Sequence, residues 1–255
     1  MSKPLSAYVL HRYDWSETSL IVDLFTRERG RLAVAAKGAK RPYSQLRGVL
    51  LPFQRLQVVL ARGDRDAEVH TLRGAEWAGG APMLGGSALF AGLYLNELLL
   101  RLLARQDAHA ALFDAYAQTL PLLAGAADAA NDAGSQAALR AFELSLLREI
   151  GVLPELHRVT QTQQAVQPEA GYELRAQDGL VPTVPGGGAL TGERWLALQA
   201  ALQHGSIAAL QAECANALAP LRRSLRALLQ YHLGTYTLRT RQLLSELRDF
   251  VATPS

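Results

Sequence analysis

The cationic run Lys37-Gly38-Ala39-Lys40-Arg41 is the stretch whose residue types most clearly suggest a chemical role. No acidic residue lies between Glu28 and Asp64, so no neighbour in the sequence neutralises these charges. Lysine and arginine at this density suit contact with the phosphates of a polyanion, because each contact releases condensed counterions. Arg31 and Arg47, on either side, belong to the same group. The alternative is a solvated face whose charge only keeps the protein soluble.

Aromatic residues accompany these cations in the connection from residue 38 to residue 52. Proteins that bind single-stranded nucleic acids run cations along the phosphates and stack aromatic rings on the bases. Tyr43 is therefore a candidate for stacking, and the alternative is that its ring pins the loop to the protein. Phe53, just beyond the connection, is assigned to the core.

A second basic cluster lies near the end of the sequence. Arg222, Arg223 and Arg226 share one side of a predicted helix, because residues three and four apart are neighbours on a helix surface. Arg239 and Arg241 follow. These cations either contact phosphate or complete helix C-termini and surface ion pairs.

Nothing in the sequence indicates catalysis, a metal ion or a cofactor. Cys214 is the single cysteine, which excludes an intramolecular disulfide and a multi-cysteine zinc site. Glycines 186–188 are not followed by the Lys-Ser/Thr of a phosphate-binding loop. A metal site at Asp64, Asp66, Glu68 and His70 is less favoured than the wet face of an edge hairpin, because alternation places these four side chains along a line.

The charge is unevenly distributed along the 255 residues. Residues 1–80 carry 13 Lys and Arg against 8 Asp and Glu, a net +5, whereas the remainder is mildly acidic. This asymmetry favours a polyanion partner for the basic part. The longest apolar stretch, residues 93–103, is interrupted by Asn96, Glu97 and Arg101, so no membrane span is predicted. We expect a cytoplasmic protein.

The elements that position the first cationic run are predicted to be five short strands. They cover residues 5–13, 18–26, 30–37, 55–61 and 67–72. This spacing, with a longer connection between the third and fourth strands, favours a small barrel of the OB type over a sandwich fragment. In the third strand, residues 32, 34 and 36 face the core. Arg31, Ala33, Ala35 and Lys37 form a small, basic surface that a polyanion can approach.

The pattern becomes helical after a glycine-rich linker at residues 79–86. Three helices at residues 87–105, 110–123 and 136–150 are predicted to pack as a bundle core. Strands at 171–174 and 180–183 and helices at 192–203, 207–217 and 221–233 follow. The predicted fold class is α+β, with an OB-fold domain at 1–79 and a helical domain at 80–255 that contains a small irregular or β element at about 155–190.

Several segments together identify a resemblance: residues 7–10, 19–31, 36–41, 51–53, 96–98, 139–143, 232–234 and 238–241. In this order, over almost the whole chain, they strongly resemble the RecO family of bacterial recombination mediators. The resemblance implies an N-terminal OB-fold, a helical domain, binding of single- and double-stranded DNA, and annealing of complementary strands. It also implies help in loading RecA onto SSB-covered DNA, with RecR and the acidic C-terminal tail of SSB as partners.

The resemblance also suggests roles for individual residues. Many members of the family carry a four-cysteine zinc element where this sequence has no cysteine, so no structural zinc is expected. Lys37, Lys40, Arg41 and Arg47 match the family's DNA-contacting loop. Arg140 is a candidate cation for the SSB tail, and an ion pair with Glu143 competes equally. An RNA-binding module and a non-catalytic interaction scaffold remain alternatives.

Overall fold

The computed structural model describes residues 3–63, 67–80, 82–183, 189–234, 238–240 and 242–243. It divides into two compact units, the first built from residues up to Ala124 and the second from Gly125 to Gln242. The first unit contains β1 (Leu5–Asp14), β2 (Leu20–Thr26), β3 (Gly30–Ala36), α1 (Gln45–Val49), β4 (Gln54–Leu60), β5 (Val69–Gly80), α2 (Gly86–Leu102) and α3 (Ala110–Gly125).

The five strands of the first unit close into a barrel in the order β1-β2-β3-β5-β4, and β4 pairs back to β1. All neighbours are antiparallel except β3 and β5. Alternating apolar residues fill the interior, because every second strand residue points inward. The helix α1 lies in the connection between β3 and β4. The predicted OB-type barrel is therefore confirmed.

The turn between β2 and β3 depends on glycine. Gly30 has φ of +65°, a conformation that residues with a Cβ adopt at an energetic cost. A Cβ at this position would also collide with the backbone carbonyl of Asp107. The predicted hairpin with its glycine turn is confirmed, and Phe53 is buried in the core as predicted.

The prediction of an open, basic outer face on β3 is wrong for its alanines, although Lys37 just after the strand is exposed. Ala33 and Ala35 are buried, so this face is covered rather than open to a polyanion. The guanidinium of Arg31 donates a hydrogen bond to the Leu100 carbonyl, at 2.8 Å, near the C-terminal end of α2. Alternation identified the two faces of the strand correctly, but it could not show that the second face is also buried.

The aromatic residues on the outside of the barrel explain where α3 packs. Tyr8 and Phe25 are opposite each other on β1 and β2, and both rings are buried. Phe113 on α3 contacts both, with ring centroids 5.2 and 5.4 Å away, and Tyr116 lies 5.0 Å from Tyr8. The helix therefore completes a second apolar layer around the barrel.

The predicted three-helix bundle is wrong. The helices α2 and α3 belong to the unit of the barrel, whereas α4 (Ala133–Glu149) belongs to the second unit. There α4 packs against α6 (Ile207–Ala215) and α7 (Leu218–Leu233), and α5 (Gly192–His204) packs against α6. The division into domains at residues 79 and 80 stays a proposal.

A small sheet accompanies these helices in the second unit. It has the order β7-β6-β8, with β6 (Gly171–Arg175), β7 (Gly179–Pro182) and β8 (Leu190–Thr191). The two predicted strands in this region are confirmed. The glycines at 186–188 lie outside the described residues. None of the described helices has the length and apolarity to cross a membrane.

Candidate nucleic-acid interface

A groove opens on the barrel where β1, the loop after β3 and the helix α1 meet. Its volume is about 510 Å³, and we call it the basic groove. It is lined by Arg12, Asp14, Leu20, Ala39, Lys40 and Arg47. Three cations from three different elements thus surround one space, with a single carboxylate among them.

The loop after β3 is fixed by the neighbouring loop between β1 and β2. The backbone amide of Lys40 donates to the Thr18 carbonyl at 2.9 Å, and the amide of Gly38 donates to the Ser19 hydroxyl at 3.3 Å. Gly38 has φ of +70°, which lets the chain turn sharply after the strand. Lys40 is therefore held at the groove by backbone contacts.

The side chain of Lys40 is shared with the protein's own oxygens. Its ammonium lies 3.2 Å from a carboxylate oxygen of Asp14 and donates to the Ser16 carbonyl at 3.0 Å. The absence of acidic residues between positions 29 and 63 predicted an un-neutralised charge, and the fold corrects this by bringing Asp14 from β1. Because the Asp14 side chain is 78% exposed, the pair is a weak surface contact that a phosphate can replace.

The other predicted cations of the loop are open to solvent. Lys37, Arg41 and Arg47 are exposed, and none forms an ion pair within the described part of the chain. Tyr43 is 99% exposed, so its ring does not pin the loop to the barrel. Arg31 lies apart from this loop, on the covered outer face of β3, and burial lowers the pKa of its guanidinium.

Two residues of this site were missed by the sequence reasoning. Arg12 lines the basic groove and donates to the Leu50 carbonyl at 3.1 Å, and Trp15 is 57% exposed in the turn that follows β1. Trp15 stands between Asp14 and Ser16, both of which contact Lys40. The sequence offered one signal for Trp15, namely a tryptophan in an otherwise polar turn. Tryptophan rings are ordinarily buried, so this position is unusual.

The second predicted cluster lies on α7, in the second unit. Arg222, Arg223 and Arg226 are exposed, while the opposite face of the helix is buried through its leucines. Arg239 is also exposed, and Arg241 lies outside the described residues. The helix thus presents three arginines on its solvent side, as the spacing predicted.

Arg140 is buried inside the second unit. Its guanidinium forms an ion pair with Glu143 at 2.7 Å, and the two side chains are 9% and 1% exposed. The ion pair that competed with SSB-tail binding is thus formed in the structure. Cys214 is buried nearby, and this burial raises the pKa of its thiol well above the usual range, so the thiol is uncharged.

No group of three or more potential metal ligands comes together in the residues that the structure describes. Of the four residues weighed as a metal site, Glu68 is exposed but His70 is buried, so the predicted wet face is wrong for His70. Asp64 and Asp66 lie outside the described residues.

Comparison with known proteins agrees with these features. The family model "Recombination protein O N terminal" matches residues 1–81, and "Recombination protein O C terminal" matches residues 84–242. Proteins described as DNA repair protein RecO from Variovorax paradoxus (strain S110) and Acidovorax ebreus (strain TPSY) are 51% and 50% identical to the chain. Each of these alignments covers 95% of both chains. The chain therefore belongs to the RecO family of DNA repair proteins.

Proposed function

We propose that this protein is a non-enzymatic mediator of DNA repair and recombination that binds single- and double-stranded DNA and anneals complementary strands. The basic groove supports this proposal most directly, because it gathers Arg12, Lys40 and Arg47 around one space. No step of this activity needs covalent chemistry. Such a mediator acts in the bacterial cytoplasm, at the nucleoid.

Phosphate binding in the basic groove follows from how its cations are held. Arg12 comes from a strand, Lys40 from a loop fixed by backbone hydrogen bonds, and Arg47 from a helix. Because the backbone of each element is already fixed, the cost of ordering on phosphate binding is confined to the side chains. Lys37 and Arg41, exposed at the edge of the same loop, extend the positive surface.

Exposed aromatic rings beside the groove account for binding of single strands. Tyr43 and Trp15 lie on the two loops that border Lys40, and both rings are exposed. Stacking of a base on an aromatic ring contributes about 1–3 kcal/mol and does not depend on sequence. Bases in a duplex are already stacked, so the rings favour single strands.

Annealing requires two strands to approach despite their negative charge. Cations of the groove neutralise one phosphate chain, and the arginines of α7 offer a second positive surface. Base pairing then supplies the specificity, since neither surface needs to read sequence.

Membership of the RecO family is the reason for including protein partners in this proposal. RecR and the acidic C-terminal tail of SSB are the protein partners, and the outcome is assisted loading of RecA on SSB-covered DNA. A tail carboxylate that binds Arg140 must reach a buried guanidinium, whose one terminal nitrogen already pairs with Glu143 and whose Nε has no hydrogen-bond partner among the described residues.

Titration of labelled oligonucleotides by fluorescence anisotropy, at several salt concentrations, tests the groove. Replacing Lys40 and Arg41 by alanine should weaken binding and reduce the slope of log K against log salt by about 0.7 for each lost single-strand contact. The combined change Arg62→Ala and Arg73→Ala is the matched control, since it also removes two exposed cations and neither of them lines the groove. Equal behaviour of the groove and control variants would remove the groove from the proposal.

Two further arms separate the competing functions. A matched RNA oligonucleotide that displaces DNA efficiently would favour an RNA-binding module. An annealing assay with complementary strands, with and without SSB, should show acceleration by the wild-type protein. A protein that fails to anneal in both conditions would instead favour an interaction scaffold.

The role of Arg140 needs a paired variant. Arg140→Ala alone removes the guanidinium that faces Glu143, and breaking a buried pair in this way costs about 3–5 kcal/mol of stability. Replacing both residues by methionine removes both charges and should restore much of that stability. If Arg140 binds the SSB tail, the tail peptide is lost from both variants; if the paired variant keeps the peptide, Arg140 has only a structural role.

A further inference from the structure

We propose that Asn96 is a positioning residue for DNA binding: it fixes a bulge in β1 that turns Arg12 into the basic groove. This inference rests on the proposed function of that groove. Asn96 belongs to α2, lies outside the groove and is 2% exposed. It therefore acts on DNA only through the strand that it holds.

The bulge lies at Leu10. Val9 is opposite Leu24 and His11 is opposite Asp23, so Leu10 has no partner on β2. One extra residue in a strand reverses which side chains point inward from that place onward. The bulge therefore changes the face of every residue between His11 and Asp14.

The partners across the strands show this reversal. Before the bulge, Ala7 and Val9 face the interior of the barrel and belong to its core. After it, Arg12 is opposite Val22, which is also a core residue. Directly opposite residues lie on the same face of a sheet, so Arg12 points toward the inner side and reaches the groove. Without the bulge, simple alternation would put Arg12 on the outside and His11 inside.

The bulge leaves a buried carbonyl that needs a donor outside the strand. The side-chain amide of Asn96 donates to the Leu10 carbonyl at 3.0 Å. Its own carbonyl accepts a hydrogen bond of 2.5 Å from the hydroxyl of Tyr116 on α3, which orients the amide toward Leu10. A buried asparagine among the leucines of α2 is costly unless it is satisfied in this way. The two helices thus specify the bulge rather than merely cover the barrel.

The test uses double-mutant cycles in which the affinity for a single-stranded oligonucleotide is measured. The temperature is kept well below the melting point of every variant. Arg12→Ala should weaken binding roughly tenfold, as loss of one charged hydrogen bond does. Asn96→Ala should cause a loss of similar size, and the combination with Arg12→Ala should bind like Arg12→Ala alone. Combined with Arg47→Ala, a groove change on α1, the Asn96→Ala loss should instead add.

Several results would overturn the proposal. Asn96→Ala could bind DNA like the wild type while melting at a lower temperature, or its loss could add to that of Arg12→Ala. If Asn96→Ala shows no cooperative melting, Tyr116→Phe takes its place. That variant frees the amide to rotate, so it should give a smaller loss that disappears in the Arg12→Ala background; a loss that persists there refutes the inference.

Failure of the proposed function gives a different pattern, in which neither Arg12→Ala nor Arg47→Ala changes DNA binding. In that case the rate of amide hydrogen exchange in residues 9–14 tests whether Asn96 holds the bulge. Faster exchange in Asn96→Ala than in the wild type supports its positioning role, and unchanged exchange excludes it.

Discussion

The carboxylate in the basic groove leads to a prediction with an unusual sign: Asp14→Asn should strengthen DNA binding. Asp14 lies 3.2 Å from the ammonium of Lys40, where it competes with an incoming phosphate. Removing its charge leaves Lys40 held by the Ser16 carbonyl at 3.0 Å, so the cation stays in the groove. The variant should bind DNA more tightly because the repulsion between the Asp14 carboxylate and the DNA phosphate is removed.

The size of the gain follows from the distances. A phosphate oxygen bound on the other side of the same ammonium would lie about 6 Å from the Asp14 carboxylate, so Coulomb's law gives roughly 0.7 kcal/mol of repulsion in water and roughly 2.8 kcal/mol at an effective dielectric constant of 20. Physiological salt about halves these values, because the screening length is about 8 Å. The expected gain in affinity is therefore about two- to tenfold.

Anisotropy titrations at low and high salt provide the assay. Glu17→Gln is the matched control, because Glu17 is an exposed acid in the same turn and its loss changes the net charge equally. The gain of Asp14→Asn over Glu17→Gln should shrink as salt rises. If the two variants bind DNA equally at every salt concentration, then Asp14 does not compete for the phosphate and the reasoning fails.

Further predictions concern an exposed ring and a surface ion pair. Trp15→Ala should weaken single-strand binding by about 1–3 kcal/mol and duplex binding much less. Trp77→Ala is the control, because Trp77 is 68% exposed on β5. Equal losses for both DNA forms would exclude stacking. Asp114 receives two hydrogen bonds from Arg27, at 2.9 and 2.8 Å, and these lower the pKa of its carboxyl. Because the pKa of Asp114 is lower in the folded protein than in the unfolded chain, its charged form stabilises the fold above the unfolded-state pKa. This stability is lost as the pH falls through the folded-state pKa. The melting temperature of the wild type should therefore fall more steeply than that of Asp114→Asn below about pH 4, and parallel profiles would contradict this.

The barrel was predictable from the sequence because its signals are local. Alternation in β2 and β3 and the glycine at the turn follow from residues that are neighbours in the chain. The exposure of Lys37 and Arg41 was predictable for the same reason, since a polar connection between two strands lies at the surface, whereas the sequence left open whether the Tyr43 ring packs on the barrel.

What the sequence could not reveal depends on contacts between distant residues. Arg12 was missed because the alternation of β1 breaks at Leu10, and the residue that holds this break, Asn96, comes from α2. Asp14 neutralises Lys40 although no acid is near Lys40 in the sequence. The bundle prediction failed since an apolar helix face does not indicate which surface it covers.

The aromatic layer between β1, β2 and α3 has a practical consequence for dissecting the protein. Tyr8 and Phe25 are 2% and 0% exposed, and the rings of Phe113 and Tyr116 pack against both. A fragment that stops after β5 would expose both rings to water, and such an exposed hydrophobic patch favours aggregation. A fragment continued to residue 124 retains their cover, and it is the shortest piece that we would choose for studying the DNA-binding part in isolation.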